Sequence, residues 1–182
     1  MQAVPSYTTL LLEFAPINFD VNKAIAEISQ VLTLAGTVTT SSSEARVIEI
    51  PTYYGPETCL DIALYRGLSI QEMASIHSSE LYQVYALGFA PGFAFMAEVP
   101  EALQLPRRDA PRASVPKGSV AIAGKQTAVY PDTSPGGWNI IGRTPLELYT
   151  PNNKQISRIQ VGDKIRFVAI NRSEYLTLGG EM

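Results

Sequence analysis

The chain has 182 residues, of which 46% are hydrophobic and 17% charged, with a formal net charge of -3. That balance fits an ordinary globular protein with enough chain for one domain or two small ones, and it argues against a nucleic-acid protein while leaving room for a local basic cluster. The single cysteine, Cys59, precludes an intramolecular disulfide and reads as a buried small residue; no stretch approaches the ~20 apolar residues of a membrane helix, and the first residues carry no basic leader, so a cytoplasmic location is expected.

Ser6 to Phe14, rich in Tyr, Thr and Leu and followed by Pro16, reads as a β-strand. Asp20 then caps a predicted helix to about Leu34, with Val21, Ala24, Ile25, Ile28, Val31 and Leu32 on one face and Gly36 as its stop. One strand and one helix cannot form a self-sufficient core, because two layers must cover each other's apolar faces. The run TVTTSSS is the one low-complexity stretch, so the expected division is a partial α+β domain over 1–38, a linker over 39–43 and the main domain over 44–182.

Ala45 to Pro51 is the next predicted strand. Pro56 at a first turn and Gly67 past the last predict a short helix over Glu57 to Arg66. Ser69 and Glu72 form a capping box for a second helix to about His77, with Ile70, Met73, Ala74 and His77 facing inward. Tyr82 to Leu87 is a strand. Beyond it short apolar runs (Ser119 to Ala123, Ala128 to Tyr130, Trp138 to Ile141) are cut by Gly and Pro with no helical period, and Lys164 to Asn171 is the last strand. The fold class expected is mainly β, an antiparallel barrel from about residue 44 with two inserted helices and a small α+β part before it.

The chemistry-bearing residues concentrate around that barrel. Arg107, Arg108, Arg112 and Lys117 lie in a Pro-punctuated loop, and Arg143 ends an apolar strand. A guanidinium offers a planar fork of donors matched to carboxylate or phosphate, so the cluster points to an anion site, although any one of these arginines would ordinarily be a solvated surface residue. Gln126 either reads a substrate amide or holds a turn. Phe89, Phe93, Tyr130 and Trp138 either wall a pocket for a flat ligand or pack a core. His77, the sole imidazole, satisfies two readings equally: a general acid or base, and a hydrogen-bonded core histidine. No phosphate-loop, zinc-ligand or nucleophile-elbow pattern is present, so no metal and no nucleotide are assigned to this chain.

The strings GFAPGFAFM, PRRDAPRASVPKGSVAIAGKQTAVYP and SPGGWNIIGRTP resemble the family called allophanate hydrolase subunit 1, to which a module in the carboxyltransferase part of urea carboxylase is related. The resemblance implies a cyclophilin-like barrel preceded by a truncated ferredoxin-like unit whose strand edge would be covered by self-association or by a partner subunit. It also implies an enzyme subunit, inactive alone, in an ATP-dependent 5-oxoprolinase complex that opens the cyclic amide 5-oxo-L-proline to L-glutamate. ATP would be used by the complex rather than bound here. In that picture Arg107, Arg108, Arg112 and Arg143 hold anions, Gln126 reads the amide and His77 moves protons. The alternatives are a regulatory module that docks on a sensor histidine kinase, and a subunit handling urea or allophanate.

Overall fold

The computed structural model describes residues 2–15, 19–35, 45–65, 67–150 and 158–182, and in it the stretch expected as one N-terminal strand doubles back. Strands β1 (Gln2–Ser6) and β2 (Thr9–Glu13) form an antiparallel hairpin, with Tyr7 of the turn at φ 47°. Two-residue hairpin turns normally announce themselves with Asn or Gly, so a tyrosine in the left-handed region hides the reversal from sequence reading. Helix α1 (Val21–Ala35) follows, capped as expected by Asp20 Oδ1, which accepts the Asn22 and Lys23 amides at 2.9 and 3.1 Å. Its apolar residues Val21, Ile25, Val31 and Leu32 stay exposed. This unit, Met1–Ala45, is distinct from a second one, Arg46–Met182, and the linker expected over 39–43 lies outside the described residues.

The second unit contains strands β3 (Val47–Tyr53), β4 (Tyr82–Leu87), β5 (Ala94–Ala97), β6 (Arg112–Val115), β7 (Ser119–Ala123), β8 (Gln126–Val129), β9 (Ser134–Gly136), β10 (Asn139–Arg143) and β11 (Lys164–Ile170). Seven of them close a barrel in the order β10-β3-β11-β4-β5-β8-β7, while β6 and β9 form a separate antiparallel ribbon. The expectation of a wholly antiparallel barrel needs one correction: β11 lies parallel to β3, from Lys164 against Val47 to Ile170 against Tyr53. Parallel neighbours need a long crossover, and here most of the unit's chain separates the two.

Alternation along the strands sends Ile50, Val84, Met96, Val120, Ile122, Val129, Ile141, Ile165 and Phe167 into one contiguous core. Helix α2 (Ile70–Ser79) adds Met73, Ala74 and His77, and the predicted capping box is present, with Ser69 Oγ accepting the Glu72 amide at 3.2 Å and Glu72 Oε2 accepting the Ser69 amide at 2.8 Å. The helix expected over Glu57 to Arg66 does not form; only a 3-10 turn, Ile62–Leu64, stands there. The buried Thr58 hydroxyl accepts the Gly55 amide and donates to backbone carbonyls of Tyr53 and Gly55, a local alternative to helical bonding. An unanticipated helix α3 (Arg172–Thr177) ends the unit, opened by an Asn171–Glu174 capping box.

His77 settles between its two readings. It is fully buried, with Nε2 3.0 Å from Thr127 Oγ1 and Nδ1 2.8 Å from the Tyr54 hydroxyl. Thr127 directs its own proton to the Ala121 carbonyl, so Nε2 carries the hydrogen and Nδ1 accepts from Tyr54. The ring also packs on Tyr82 and Phe167, with centroids 5.1 and 4.4 Å away. The sequence-based role of His77 in proton transfer is therefore withdrawn: a neutral imidazole with both nitrogens used and no exposed surface meets no substrate. Burial lowers its pKa to about 3. Between the unfolded value near 6.5 and that folded value, the unfolded chain binds a proton the folded one does not. The stability His77 contributes is complete above pH 6.5 and falls with pH at about 1.4 kcal/mol per unit. Denaturant unfolding from pH 7 to 4 is expected to show this slope in the parent and a shallower one in His77→Gln; parallel curves would contradict it.

Candidate functional site

The same alternation that fills the barrel turns a second set of side chains outward. Phe93 and Phe95 from β5 and its entry, Ala121 and Ala123 from β7, Ala128 and Tyr130 at β8, and Trp138 and Ile140 at β10 form a separate buried cluster against Val115 of the β6–β9 ribbon. Phe93 stands edge-on to Tyr130 and Trp138 at 5.4 and 5.7 Å between centroids, and Phe89 leans on it at 5.2 Å. Between the rings lies a cavity of about 110 Å³, lined by Phe89, Phe93, Phe95, Arg107, Tyr130 and Trp138 together with residues 135–137.

Three features give this cavity the character of a ligand site. Phe89 is 66% exposed and held at φ 69°, a backbone state that is costly for a bulky residue and that clusters at functional sites. The exposed Arg107 places its guanidinium carbon 5.7 Å from the Trp138 ring centroid, and no carboxylate among the described residues forms an ion pair with it. Gly136 is obligatory in the wall, because a Cβ there would run into the Tyr130 hydroxyl. Burial raises the Tyr130 pKa, while a bond from the Trp138 backbone and the charges of Arg107 and Arg112 oppose the rise.

Sequence reading missed one group that binds two of the candidate arginines. Asp61 is 3% exposed, and its Oδ1 accepts Arg108 Nη1 and Arg112 Nη2, both at 2.7 Å, while Oδ2 accepts the Ile140 amide at 2.7 Å. The Asp61 amide in turn donates to the Ile140 carbonyl at 3.2 Å. Arg108 and Arg112, expected to hold a substrate anion, thus have an internal anion. The one signal in the sequence was a carboxylate set among apolar residues, CLDIAL, which the helical expectation for that stretch absorbed.

The remaining candidates lie elsewhere. Gln126 shares the outward face of β8 with Ala128 and Tyr130 but sits at the opposite end of the strand, outside the cavity lining. Arg143 lines another cavity and donates from Nη1 to the Glu181 carbonyl at 3.0 Å. Lys117 is paired with Glu147 at 2.8 Å on the surface. The Cys59 thiol is buried, which pushes its pKa up to about 12. No three His, Cys, Asp or Glu among the described residues group as a metal site, and no described helix is long and apolar enough to cross a membrane.

A mainly β unit with a closed seven-strand barrel is the fold of carboxyltransferase-type modules. The chain belongs to the family described as carboxyltransferase domain, subdomain C and D, which it matches over residues 1–159. Among curated proteins it is similar to the 5-oxoprolinase B subunit of Bacillus subtilis (strain 168), at 39% identity over 89% of this chain and 65% of the relative. The proteins of the same name from Escherichia coli O157:H7 and Haemophilus influenzae are 46% and 35% identical, over 69% and 92% of this chain. The chain spans 65% and 59% of the length of the Bacillus and Escherichia relatives. Among solved structures, TTHA0988 superposes with a TM-score of 0.76 at 40% identity, over 92% of this chain and 32% of that one. An uncharacterised Pyrococcus horikoshii protein, PH0987, gives 0.68 at 38% identity over 96% and 81%. The Kluyveromyces lactis urea carboxylase shares the fold, with a TM-score of 0.67 at 14% identity over 97% of this chain and 18% of that one.

Removing the Asp61 carboxylate leaves two guanidiniums and a buried amide without their acceptor. Asp61→Ala is expected to cost about 3 kcal/mol in urea unfolding, the lower part of the range for breaking a buried ion pair because solvent reaches part of both arginines. A loss below about 1 kcal/mol would show that the pair is not a structural tie.

Proposed function

We propose that this chain is a subunit of an ATP-dependent hydrolase complex that opens 5-oxo-L-proline, and that the cavity between Phe89, Phe93, Tyr130 and Trp138 receives the ring. The observation that carries this reading is the pairing of an aromatic cavity with one guanidinium, Arg107, that has no carboxylate partner among the described residues. A small flat ring bearing a carboxylate matches both halves: its faces bury against the aromatics and its charge meets the arginine. The relatives that carry the name of the 5-oxoprolinase B subunit support the same assignment.

A lactam carbonyl is a poor electrophile. In the proposed reaction the γ-phosphoryl of ATP passes to the lactam oxygen with release of ADP, one water adds to the activated carbon and the C–N bond opens to leave an acyl phosphate, and a second water hydrolyses that acyl phosphate to glutamate and phosphate. The residues of this chain contribute binding and orientation, worth a large part of such a barrier when the ring is held in one pose. The nucleotide and the groups that move protons are assigned to the other subunits, because His77 is sealed in the core and the sequence carries no nucleotide motif.

Reconstitution with the partner subunits tests this directly. Turnover of 5-oxoproline coupled to ATP hydrolysis is expected only when this chain is present, and not from this chain alone. Arg107→Ala should raise KM for 5-oxoproline about 10- to 100-fold, the worth of one charge-assisted hydrogen bond, with the fold intact by circular dichroism. Turnover indifferent to this chain, or an unchanged KM in the variant, would overturn the assignment.

A further inference from the structure

Three consecutive residues where β10 begins hold the loop that presents Arg107. The Arg108 amide donates to the Gly137 carbonyl at 2.8 Å, the Trp138 ring lies 5.7 Å from the Arg107 guanidinium carbon, and Asn139 Nδ2 donates to the Pro106 carbonyl at 2.8 Å. The two hydrogen bonds fall on either side of Arg107. One takes the carbonyl of the peptide unit before its Cα, and the other takes the N–H of the unit after it. A peptide unit is planar, so a bond to one of its polar atoms restrains the whole plane. With both planes tied, Arg107 has little freedom left in φ or ψ, its two soft backbone torsions.

Asn139 differs from the other two in standing outside the aromatic cavity, which Gly137 and Trp138 line. Its side chain is buried, and Nδ2 makes a second bond, to the carbonyl of its cross-strand neighbour Ile122 in β7 at 3.2 Å. An amide nitrogen carries two hydrogens, and here one is anchored in the barrel wall while the other holds the loop. We infer that Asn139 is a positioning residue for anion recognition: through the Pro106 peptide unit it holds Arg107 ready for the carboxylate of the bound ring, without touching that ring itself. The inference rests on the reading of the aromatic cavity given above. An arginine on an untied loop gives up backbone freedom when it meets an anion, which for one residue corresponds to about five- to thirtyfold in affinity. Arg107 has given up much of that freedom on folding.

A double-mutant cycle in the reconstituted complex tests this role. Asn139→Ala is expected to raise KM for 5-oxoproline about tenfold with kcat unchanged, while the double variant with Arg107→Ala should show the KM of Arg107→Ala alone. The competitor 2-pyrrolidinone has the ring without the carboxylate, so its inhibition constant should be the same in the parent and in Asn139→Ala; a cavity that had merely lost its shape would weaken both ligands. Asn139→Ser, which keeps a short donor in the strand, takes the place of the alanine variant if that one does not fold. Additive effects of the two substitutions, or an inhibition constant that rises together with KM, overturn the positioning role. An Arg107→Ala variant with unchanged KM overturns the reading of the cavity and the role of Asn139 with it. A raised KM in Arg107→Ala with none in the Asn139 variant overturns the role of Asn139 alone.

Discussion

The Asp61 carboxylate is the constraint on which the candidate site depends. One buried anion draws the loop that carries Arg108, the strand that carries Arg112 and the Ile140 backbone of β10 to a single point. Taking a carboxylate out of water is costly, and here two guanidiniums and two backbone bonds to Ile140 offset it. The balance is one negative charge against two positive ones. The loop above has other ties as well: the Arg108 amide donates to the Gly137 carbonyl at 2.8 Å, and Asn139 Nδ2 donates to the Pro106 carbonyl at 2.8 Å. Arg107 therefore stands between two anchored neighbours. A flexible arginine on a mobile loop would lose side-chain and backbone entropy on meeting an anion, whereas this one is largely pre-positioned over Trp138.

How far the sequence is legible follows from which forces act locally. The Ser69–Glu72 capping box, the α2 face and the strands from Tyr82 to Leu87 and from Ser119 to Ala123 are written in neighbouring residues, and they form where expected. The 3-10 turn at 62–64 could not be read the same way, because Asp61 finds its partners 47, 51 and 79 residues away and Thr58 bonds its own turn. The Tyr7 reversal was illegible for another reason: the conformation is one that tyrosine seldom adopts. Phe89, Phe93, Arg107, Tyr130 and Trp138 come together from four separated stretches, and composition pointed to them individually without fixing that they share one cavity. Phe95 belongs to the same cavity and lay inside a string already noted for its aromatics.

The barrel explains why His77 and Trp138, both uncommon residues, have such different positions. A barrel of seven strands has an interior only wide enough for side chains, so a polar group sent inward is enclosed and must be satisfied by its neighbours. Tyr54 and Thr127 do this for His77. The outer wall has no such limit. There Ala121, Ala123 and Ala128 pack in the outer cluster, and the neighbouring cavity is lined by aromatic rings and Arg107. Along the strands themselves, parity decides which side a residue serves.

The shape of the aromatic cavity bears on the proposed division of labour. It holds about 110 Å³, and Phe89 at its mouth is 66% exposed. Phosphoryl transfer to a lactam oxygen competes with transfer to water, so the reacting ring must be closed off when the nucleotide is in place. This chain supplies a recess, a charge and an exposed aromatic rim, but nothing among the described residues that closes over them.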